Sequence, residues 1–153
     1  QQEPELSQQL GVVVLGSQAE QCKSLFPFPI YPMNYVSNEK ELVDIYNAVD
    51  LYVTPSLQDN LPNTIVEAMA CGIPCVGFNV GGIPQMIDHL HNGYVAQYKS
   101  ADDLANGICW TLTEGDYETL SSEAYRKAVT TYSEATVASQ YIQIYNHITE
   151  KNA

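Results

Sequence analysis

The sequence predicts an α/β domain in which a parallel β-sheet carries helices on both faces. Short apolar runs alternate with longer amphipathic segments along the chain. The runs are apolar throughout instead of alternating with polar residues, as expected for strands that are buried on both sides. The length of 153 residues and the apolar share of 45% suit one domain with a substantial core.

Five strands are predicted, each a short apolar run with glycine, proline or polar residues beside it. They are residues 11–16, a strand near Tyr35 and Val36, and residues 51–54, 75–78 and 94–96. The stretch SLFPFPIYPM between the first two holds three prolines and is expected to form a loop.

Helices are predicted between and after these strands from their capping signals and apolar stripes. Asn38 with Glu41 resembles a capping box, and Ser100 with Asp103 predicts a second N-cap. Gly72 suits the left-handed position after a helix, and Pro84 suits the first turn of a short helix. The last helix carries its apolar stripe at Val137, Tyr141, Ile144, Tyr145 and Ile148.

The strongly acidic composition excludes two classes of partner. The chain has 18 acidic and 6 basic residues, a formal charge of −12. Nucleic-acid binding needs a basic face, and an anionic membrane surface would repel this chain. The same charge is unfavourable for a phosphate-bearing ligand, so any such site depends on backbone donors or on cations from elsewhere.

Cysteine usage points to a reducing compartment. Between Cys71 and Cys75 lie three residues, including Gly72 and Pro74, unlike a zinc knuckle or a thioredoxin-type motif. We expect all four cysteines to be reduced and mostly buried, which favours the cytoplasm. They are Cys22, Cys71, Cys75 and Cys109. No apolar run approaches the roughly 18 residues of a membrane span, and we expect no signal peptide or direct membrane insertion.

Two loops are candidates for a ligand site, because open parallel sheets bind ligands at the carboxyl ends of their strands. The first leads into a helix whose free N–H groups and dipole favour an anion. Its residues are Asn60, Leu61, Pro62, Asn63 and Thr64. Glu67 shares a helix face with Asn63 and Thr64 and suits a ribose; its ordinary alternative is a solvated helix residue. The second loop holds the tight turn Gly81–Gly82.

Asp59 precedes Glu67 by eight positions. A fully helical segment would separate the two carboxylates by about 12 Å. Glycosidase pairs lie about 5–9.5 Å apart, so a hydrolase pair is not favoured. The alternative role of Asp59 is that of an N-cap or Asx-turn residue.

Residues 46–96 closely resemble retaining glycosyltransferases of the family-4 type, which have the GT-B fold. The motif is an acid, seven residues, then a glutamate followed by AMACG-x-P, here Asp59 to Glu67 and on to Pro74. The upstream YNAVDLYVTPS and the downstream GG-x-P also match, and a looser similarity covers residues 11–153. Two departures are Asp59, where the family usually has Glu, and Gln85, where it often has Glu.

The resemblance implies a single Rossmann-like domain over residues 1–153, one lobe of a two-domain enzyme. It is the C-terminal, nucleotide-sugar-binding lobe, truncated at its N-terminal side, with the lobe's first strand and helix upstream of Gln1. Glu67 would bind the ribose and Asp59 would act at the donor sugar as the catalytic residue. The main-chain N–H groups around Leu61–Thr64, with Gly81 and Gly82, would complete the donor site.

The implied activity is transfer of a hexosyl group from a nucleotide sugar to a saccharide or lipid-linked acceptor, with retention. We expect a role in cell-surface polysaccharide synthesis, with the acceptor bound by a domain outside this chain, and an inactive fragment in isolation. We expect a cytoplasmic location, with peripheral membrane contact left to the absent part. Alternative hypotheses are a non-catalytic α/β interaction domain and a GT-B-fold epimerase or phosphorylase.

No cofactor or metal is expected. His89 and His91 lie next to a turn, and no third ligand accompanies them in the sequence. A metal site needs three or four ligands. No Lys or Arg lies between Leu51 and Tyr98. The resemblance implies that the Arg and Lys that bind the diphosphate lie upstream of this chain, near the first strand and helix of the lobe.

The 11 tyrosines are expected to serve packing more than sugar stacking. Tyr46, Tyr141 and Tyr145 fall on apolar helix stripes, which indicates a core or interface position. We expect the Tyr/Ile face of the last helix to be exposed in this chain, with a tendency to self-association.

Overall fold

The computed structural model of the chain describes residues 8–151. It consists of two compact units, of which one ends at Val49 and the other begins at Asp50. Each unit contains parallel strands and helices, as predicted. Their hydrogen bonds divide the described strands into two sheets where the sequence indicated one. An apolar run indicates that a strand is buried, but it does not specify which other strand pairs with it.

The first unit contains a two-stranded parallel sheet. Strand β1 (Val12–Leu15) pairs with β2 (Ile30–Met33), and a 3₁₀ helix (Ala19–Ser24) lies between them in sequence. Helix α1 (Glu39–Asn47) follows. The Oδ1 atom of Asn38 accepts hydrogen bonds from the first-turn amides of α1, which confirms the predicted N-cap.

The position predicted for β2, near Tyr35 and Val36, is wrong. The strand forms earlier, inside the proline-rich stretch, with Pro32 opposite Val14. In a parallel pair, every second residue of a strand bonds the same neighbouring strand. The carbonyls of Pro29 and Met33 accept from the amides of Val12 in β1 and Gly16 just after it. The nitrogen of Pro32 therefore faces away from β1. Proline is tolerated at such a position because no ladder hydrogen bond is lost.

The second unit contains a three-stranded parallel sheet in the order β3–β4–β5. Its strands are β3 (Tyr52–Thr54), β4 (Cys75–Phe78) and β5 (Gly93–Ala96). Its helices are α2 (Asn63–Ala70), α3 (Ile83–Met86), α4 (Ala101–Thr113), α5 (Tyr117–Tyr132) and α6 (Glu134–Lys151). The predicted cap at Ser100 and the predicted left-handed backbone at Gly72 (φ +74°) are both confirmed.

The core of the second unit surrounds β4, all of whose residues are buried. Ile65 and Met69 of α2 and Ile83 of α3 are fully buried beside it. Burying one such side chain contributes about 1.5–3 kcal/mol, so this helix pair is held firmly at the sheet.

Helix α5 is not among the predicted helices. Its buried residues are Leu120, Ala124 and Ala128, one turn apart on a helix that is otherwise mostly polar. Two of the three are alanines, so the apolar stripe is weak in sequence. Small side chains nevertheless suit close packing, and α5 packs against α2.

Helix α6 exposes the apolar face expected for it. Tyr141 and Tyr145 are 57% and 62% exposed, and Ile144 and Ile148 on the same helix are also exposed. These two tyrosines are therefore not core residues, whereas Tyr46 in α1 is buried as expected. None of the helices formed by residues 8–151 is long and apolar enough to cross a membrane.

All four cysteines are free thiols, as expected, but they are less buried than expected. Only Cys75 is buried, and the others are partly exposed. Burial raises the pKa of the Cys75 thiol well above its usual range. This thiol lies inside β4 near the carbonyl of Ile73, a position typical of a structural cysteine.

Candidate functional site

The first candidate loop ends at an uncapped helix. Helix α2 begins at Asn63 with Pro62 as its N-cap residue, and Pro62 has no side-chain oxygen to accept from the first-turn amides. The first turn of α2 also contains no acidic residue. The positive end of the helix dipole therefore lacks the usual compensation from its own first turn, which favours an anionic ligand there.

The second candidate loop touches the first. The amide of Gly82 donates a hydrogen bond of 2.5 Å to the carbonyl oxygen of Asn60. A Cβ atom at Gly81 would overlap the carbonyl oxygen of Asp59, and one at Gly82 would overlap that of Asn60. Gly81 also has a left-handed backbone, with φ +55°. The structure thus brings the two predicted loops together through a contact that only glycines permit.

A third loop, absent from the sequence prediction, joins this edge of the sheet. The hydroxyl of Tyr98, just after β5, donates to the carbonyl oxygen of Leu57 at 3.1 Å. The ammonium of the next residue, Lys99, lies 5.0 Å from the centre of the Tyr98 ring. The sequence signal that could have predicted this loop is its position. Residues that directly follow neighbouring parallel strands lie at the same edge of the sheet.

Glu67 lies on the helix that begins at this junction. It is half-buried in α2, on the same helix as Asn63 and Thr64. The Oγ1 atom of Thr64 accepts a hydrogen bond of 2.8 Å from the hydroxyl of Tyr52 on β3. Burial raises the pKa of Tyr52, and the carboxylates of Glu67 and Asp59 add to the increase. Both carboxylates are therefore electrostatic neighbours of the Tyr52 hydroxyl.

Asp59 is half-buried within the first loop. It is not the N-cap of α2, because Pro62 occupies that position, so the alternative N-cap role is wrong. The chain from Asp59 to Pro62 is not helical. The separation calculated for a fully helical segment between Asp59 and Glu67 therefore does not apply.

The segment after Gly82 is held in place by α5. The Lys127 ammonium lies 2.6 Å from the Asp88 carboxylate, and the Tyr132 hydroxyl donates to the carbonyl oxygen of Gln85. Lys127 and Tyr132 belong to α5, whereas Gln85 belongs to α3. Two side chains of α5 thus hold the short helix that follows the glycine turn and the residues just after it.

The two histidines near β5 make local contacts. The Nδ1 atom of His89 accepts a hydrogen bond from the amide of Val95, and its ring meets Tyr94 edge-on. His91 is exposed, with Nε2 4.0 Å from a carboxylate oxygen of Glu123. Within residues 8–151, no group of three or more His, Cys, Asp or Glu side chains is arranged to hold a metal ion.

The fold is shared with solved glycosyltransferase structures. Sucrose-phosphate synthase from Thermosynechococcus elongatus superposes with a TM-score of 0.77 at 21% identity, over 94% of this chain and 39% of that one. Anabaena HepE in complex with UDP-glucose superposes with a TM-score of 0.71 at 21% identity, over 88% and 40%. These similarities show the fold, that of one lobe of a GT-B glycosyltransferase.

Sequence comparison identifies the family. N,N'-diacetylbacillosaminyl-diphospho-undecaprenol alpha-1,3-N-acetylgalactosaminyltransferase from Campylobacter jejuni is 26% identical over 146 residues, 94% of this chain. The chain spans 39% of the length of that relative. The family model for glycosyl transferases group 1 matches residues 2–114, well over half of the chain. The chain therefore belongs to the glycosyl transferases group 1 family.

Proposed function

We propose that this chain is the donor-binding half of a glycosyltransferase that moves a hexosyl group from a nucleotide sugar to an acceptor, with retention. The observation that carries the proposal is the hydrogen bond between Gly82 and Asn60. It joins two loops beside the uncapped end of α2. A helix end of this kind favours the diphosphate of a nucleotide sugar, and it stabilises the charge that develops as the nucleoside diphosphate leaves.

Each predicted site residue has a role in this proposal. Glu67 accepts hydrogen bonds from the ribose hydroxyls, and Asp59 acts at the donor sugar. Amide groups of the first loop and of the glycine turn face the diphosphate; the first-loop residues are Asn60, Leu61, Asn63 and Thr64, and the turn is Gly81–Gly82. Pro62 supplies the extended N-cap that leaves the helix end open.

Two similar proteins support a choice of substrate classes. HepE was solved with UDP-glucose, and the name of the Campylobacter relative describes transfer to a lipid-linked diphosphate acceptor. We propose a uridine-type nucleotide sugar as donor and a saccharide or lipid-linked acceptor, bound by a domain outside this chain. Synthesis of a cell-surface polysaccharide at the cytoplasmic side of a membrane is consistent with that chemistry.

We propose that the leaving diphosphate is stabilised without a metal held by this chain. The helix end supplies part of the positive potential. Further Arg or Lys side chains from outside the two predicted site loops would supply the rest, because the stretch from Leu51 to Tyr98 contains none and Lys99 is the first cation after it.

The test uses the full-length protein and measures release of nucleoside diphosphate from a panel of nucleotide sugars. Glu67→Gln is expected to lower kcat/KM about 10–100-fold, because hydrogen bonds to a charged group contribute about 1.5–3 kcal/mol. The matched control is Glu118→Gln, an exposed glutamate in the first turn of α5, which should leave activity unchanged.

Asp59→Asn should lower kcat more than it raises the donor KM, because its proposed role is at the reacting sugar. Absence of diphosphate release from every donor, or full activity of Glu67→Gln, would contradict the proposal. In the isolated chain, millimolar UDP should shift NMR signals of Glu67 and Thr64 without turnover.

A further inference from the structure

A hydrogen bond links the three-stranded sheet to the first turn of α2. Tyr52 lies at the start of β3, and its hydroxyl donates to the Oγ1 atom of Thr64 at 2.8 Å. Thr64 is the second residue of α2. The two residues are twelve positions apart, so this contact depends on how α2 folds back over β3.

The bond directs the hydroxyl of Thr64. A threonine hydroxyl has one proton to donate and two lone pairs with which to accept. Because Tyr52 occupies one lone pair, the donor direction of Thr64 is restricted. Glu67 lies one turn further along α2, and residues three apart on a helix are neighbours on its surface. Burial raises the pKa of Tyr52, and the Glu67 carboxylate adds to that increase.

We propose that Tyr52 is a positioning residue that orders Thr64 and Glu67 for recognition of the ribose of the nucleotide donor. This inference rests on the proposed function, in which Glu67 binds the ribose. A carboxylate held in one orientation can accept from both ribose hydroxyls at once. A ligand without the 2′-hydroxyl then leaves one acceptor without its partner and binds more weakly.

The Tyr52 hydroxyl is suited to this role at neutral pH. Burial raises its pKa above the usual tyrosine value, so it remains a protonated donor. Tyr52 is also partly buried. Tyr52→Phe therefore removes the donor while keeping the packing of the ring.

The test compares binding of UDP and 2′-deoxy-UDP to the full-length protein by calorimetry. We expect wild type to prefer UDP, and Tyr52→Phe to reduce that preference about 5–10-fold, equivalent to about 1–1.4 kcal/mol for one oriented hydrogen bond. Donor KM should rise by a similar factor with kcat changed less than about twofold. Thr64→Val should reduce the preference for UDP by a similar factor. The double variant Tyr52→Phe with Thr64→Val should lose no more preference than either single variant, because both changes remove the same hydrogen bond.

Two control variants separate positioning from stability. Tyr94→Phe also removes a hydrogen bond from a strand tyrosine to a helix residue, Asp103, but on β5 and α4. It should leave the UDP preference unchanged. Thr64→Ser keeps the acceptor and should retain the preference of wild type.

The possible failures are distinguishable. If Tyr52→Phe weakens UDP and 2′-deoxy-UDP equally, or weakens neither, the positioning role is wrong and the proposed function stands. If wild type binds UDP without distinguishing it from 2′-deoxy-UDP, the ribose role of Glu67 is wrong as well. If the full-length protein binds no nucleotide and releases none from any donor, the proposed function itself fails.

Discussion

Gly82 and Asn60 are joined backbone to backbone, with the amide of Gly82 donating to the carbonyl of Asn60 across 22 positions of sequence. This contact brings the loop after β3 and the loop after β4 together at one edge of the sheet. Because the approach leaves no room for a side chain, the junction depends on the identity of both turn glycines. The first prediction tests it directly.

Gly82→Ala should destabilise the second unit and abolish nucleotide binding. Gly82 has an ordinary backbone conformation (φ −92°), so the cost comes from the overlap of the new Cβ, chiefly with the Asn60 carbonyl and also with the Leu61 side chain. We expect a loss of about 2–3 kcal/mol in the free energy of unfolding, as for overpacked sites. Chemical denaturation measures the loss.

Gly115→Ala is the matched control for that substitution. A Cβ at Gly115 would lie 2.7 Å from the Cδ1 atom of Leu120, the end of a flexible side chain that can move. Its cost should be under half that of Gly82→Ala. Equal costs would show that the rigid backbone contact at Asn60 is not the cause.

Lys127→Met should lower the free energy of unfolding by about 1 kcal/mol, near the upper limit for a partly exposed ion pair. Its ammonium pairs with Asp88 at 2.6 Å, and the Lys127 side chain is only 15% exposed against 53% for Asp88. The loss should shrink when salt is raised to 1 M, because the pair is partly open to solvent.

Arg126→Met serves as the control on the same helix. Arg126 pairs with Glu123 within α5, and the Arg126 side chain is largely exposed. Thermal melts should show no measurable change for this variant. A loss at Lys127 that does not depend on salt would attribute the effect to packing and not to charge.

Cys75 should make the protein less stable at alkaline pH. Burial raises the pKa of its thiol, so the folded chain keeps a proton that the unfolded chain releases above about pH 8.5. The contribution is fully present below the unfolded pKa and is lost as pH rises above it. We expect wild type to lose about 1–2 kcal/mol from this group by pH 10.

Cys75→Ala lacks that titration, so its stability deficit relative to wild type should shrink between pH 8 and pH 10. Denaturant midpoints at several pH values measure the difference. Cys22→Ala leaves Cys75 in place and should follow the pH profile of wild type. A deficit for Cys75→Ala that is constant with pH would contradict the linkage.

At position 90, glycine should give a more stable protein than alanine. Leu90 has a left-handed backbone with φ +64° in the turn before β5, where a residue with a Cβ is strained. Leu90→Gly and Leu90→Ala both remove the half-exposed leucine side chain. The glycine variant should be more stable than the alanine variant by about 1 kcal/mol, since only glycine relieves the strain. Thermal unfolding of the two variants decides the matter.

The local features of the fold could be predicted from short stretches of sequence. The caps at Asn38 and Ser100, the left-handed Gly72 and four of the five strands were predicted close to where they form. Each depends on side chains and backbone within a few positions of one another. The two site loops were predicted for a related reason, since the carboxyl ends of parallel strands share one edge.

The contacts between distant parts of the chain became visible only in the folded structure. Tertiary packing brought Gly82 onto Asn60, placed the Tyr52 hydroxyl on Thr64 and paired Lys127 with Asp88. It also placed β2 within a proline-rich stretch, where the match to β1 outweighs the local loop signal. These contacts have no local pattern, because their energies depend on which surfaces become neighbours once the chain has packed.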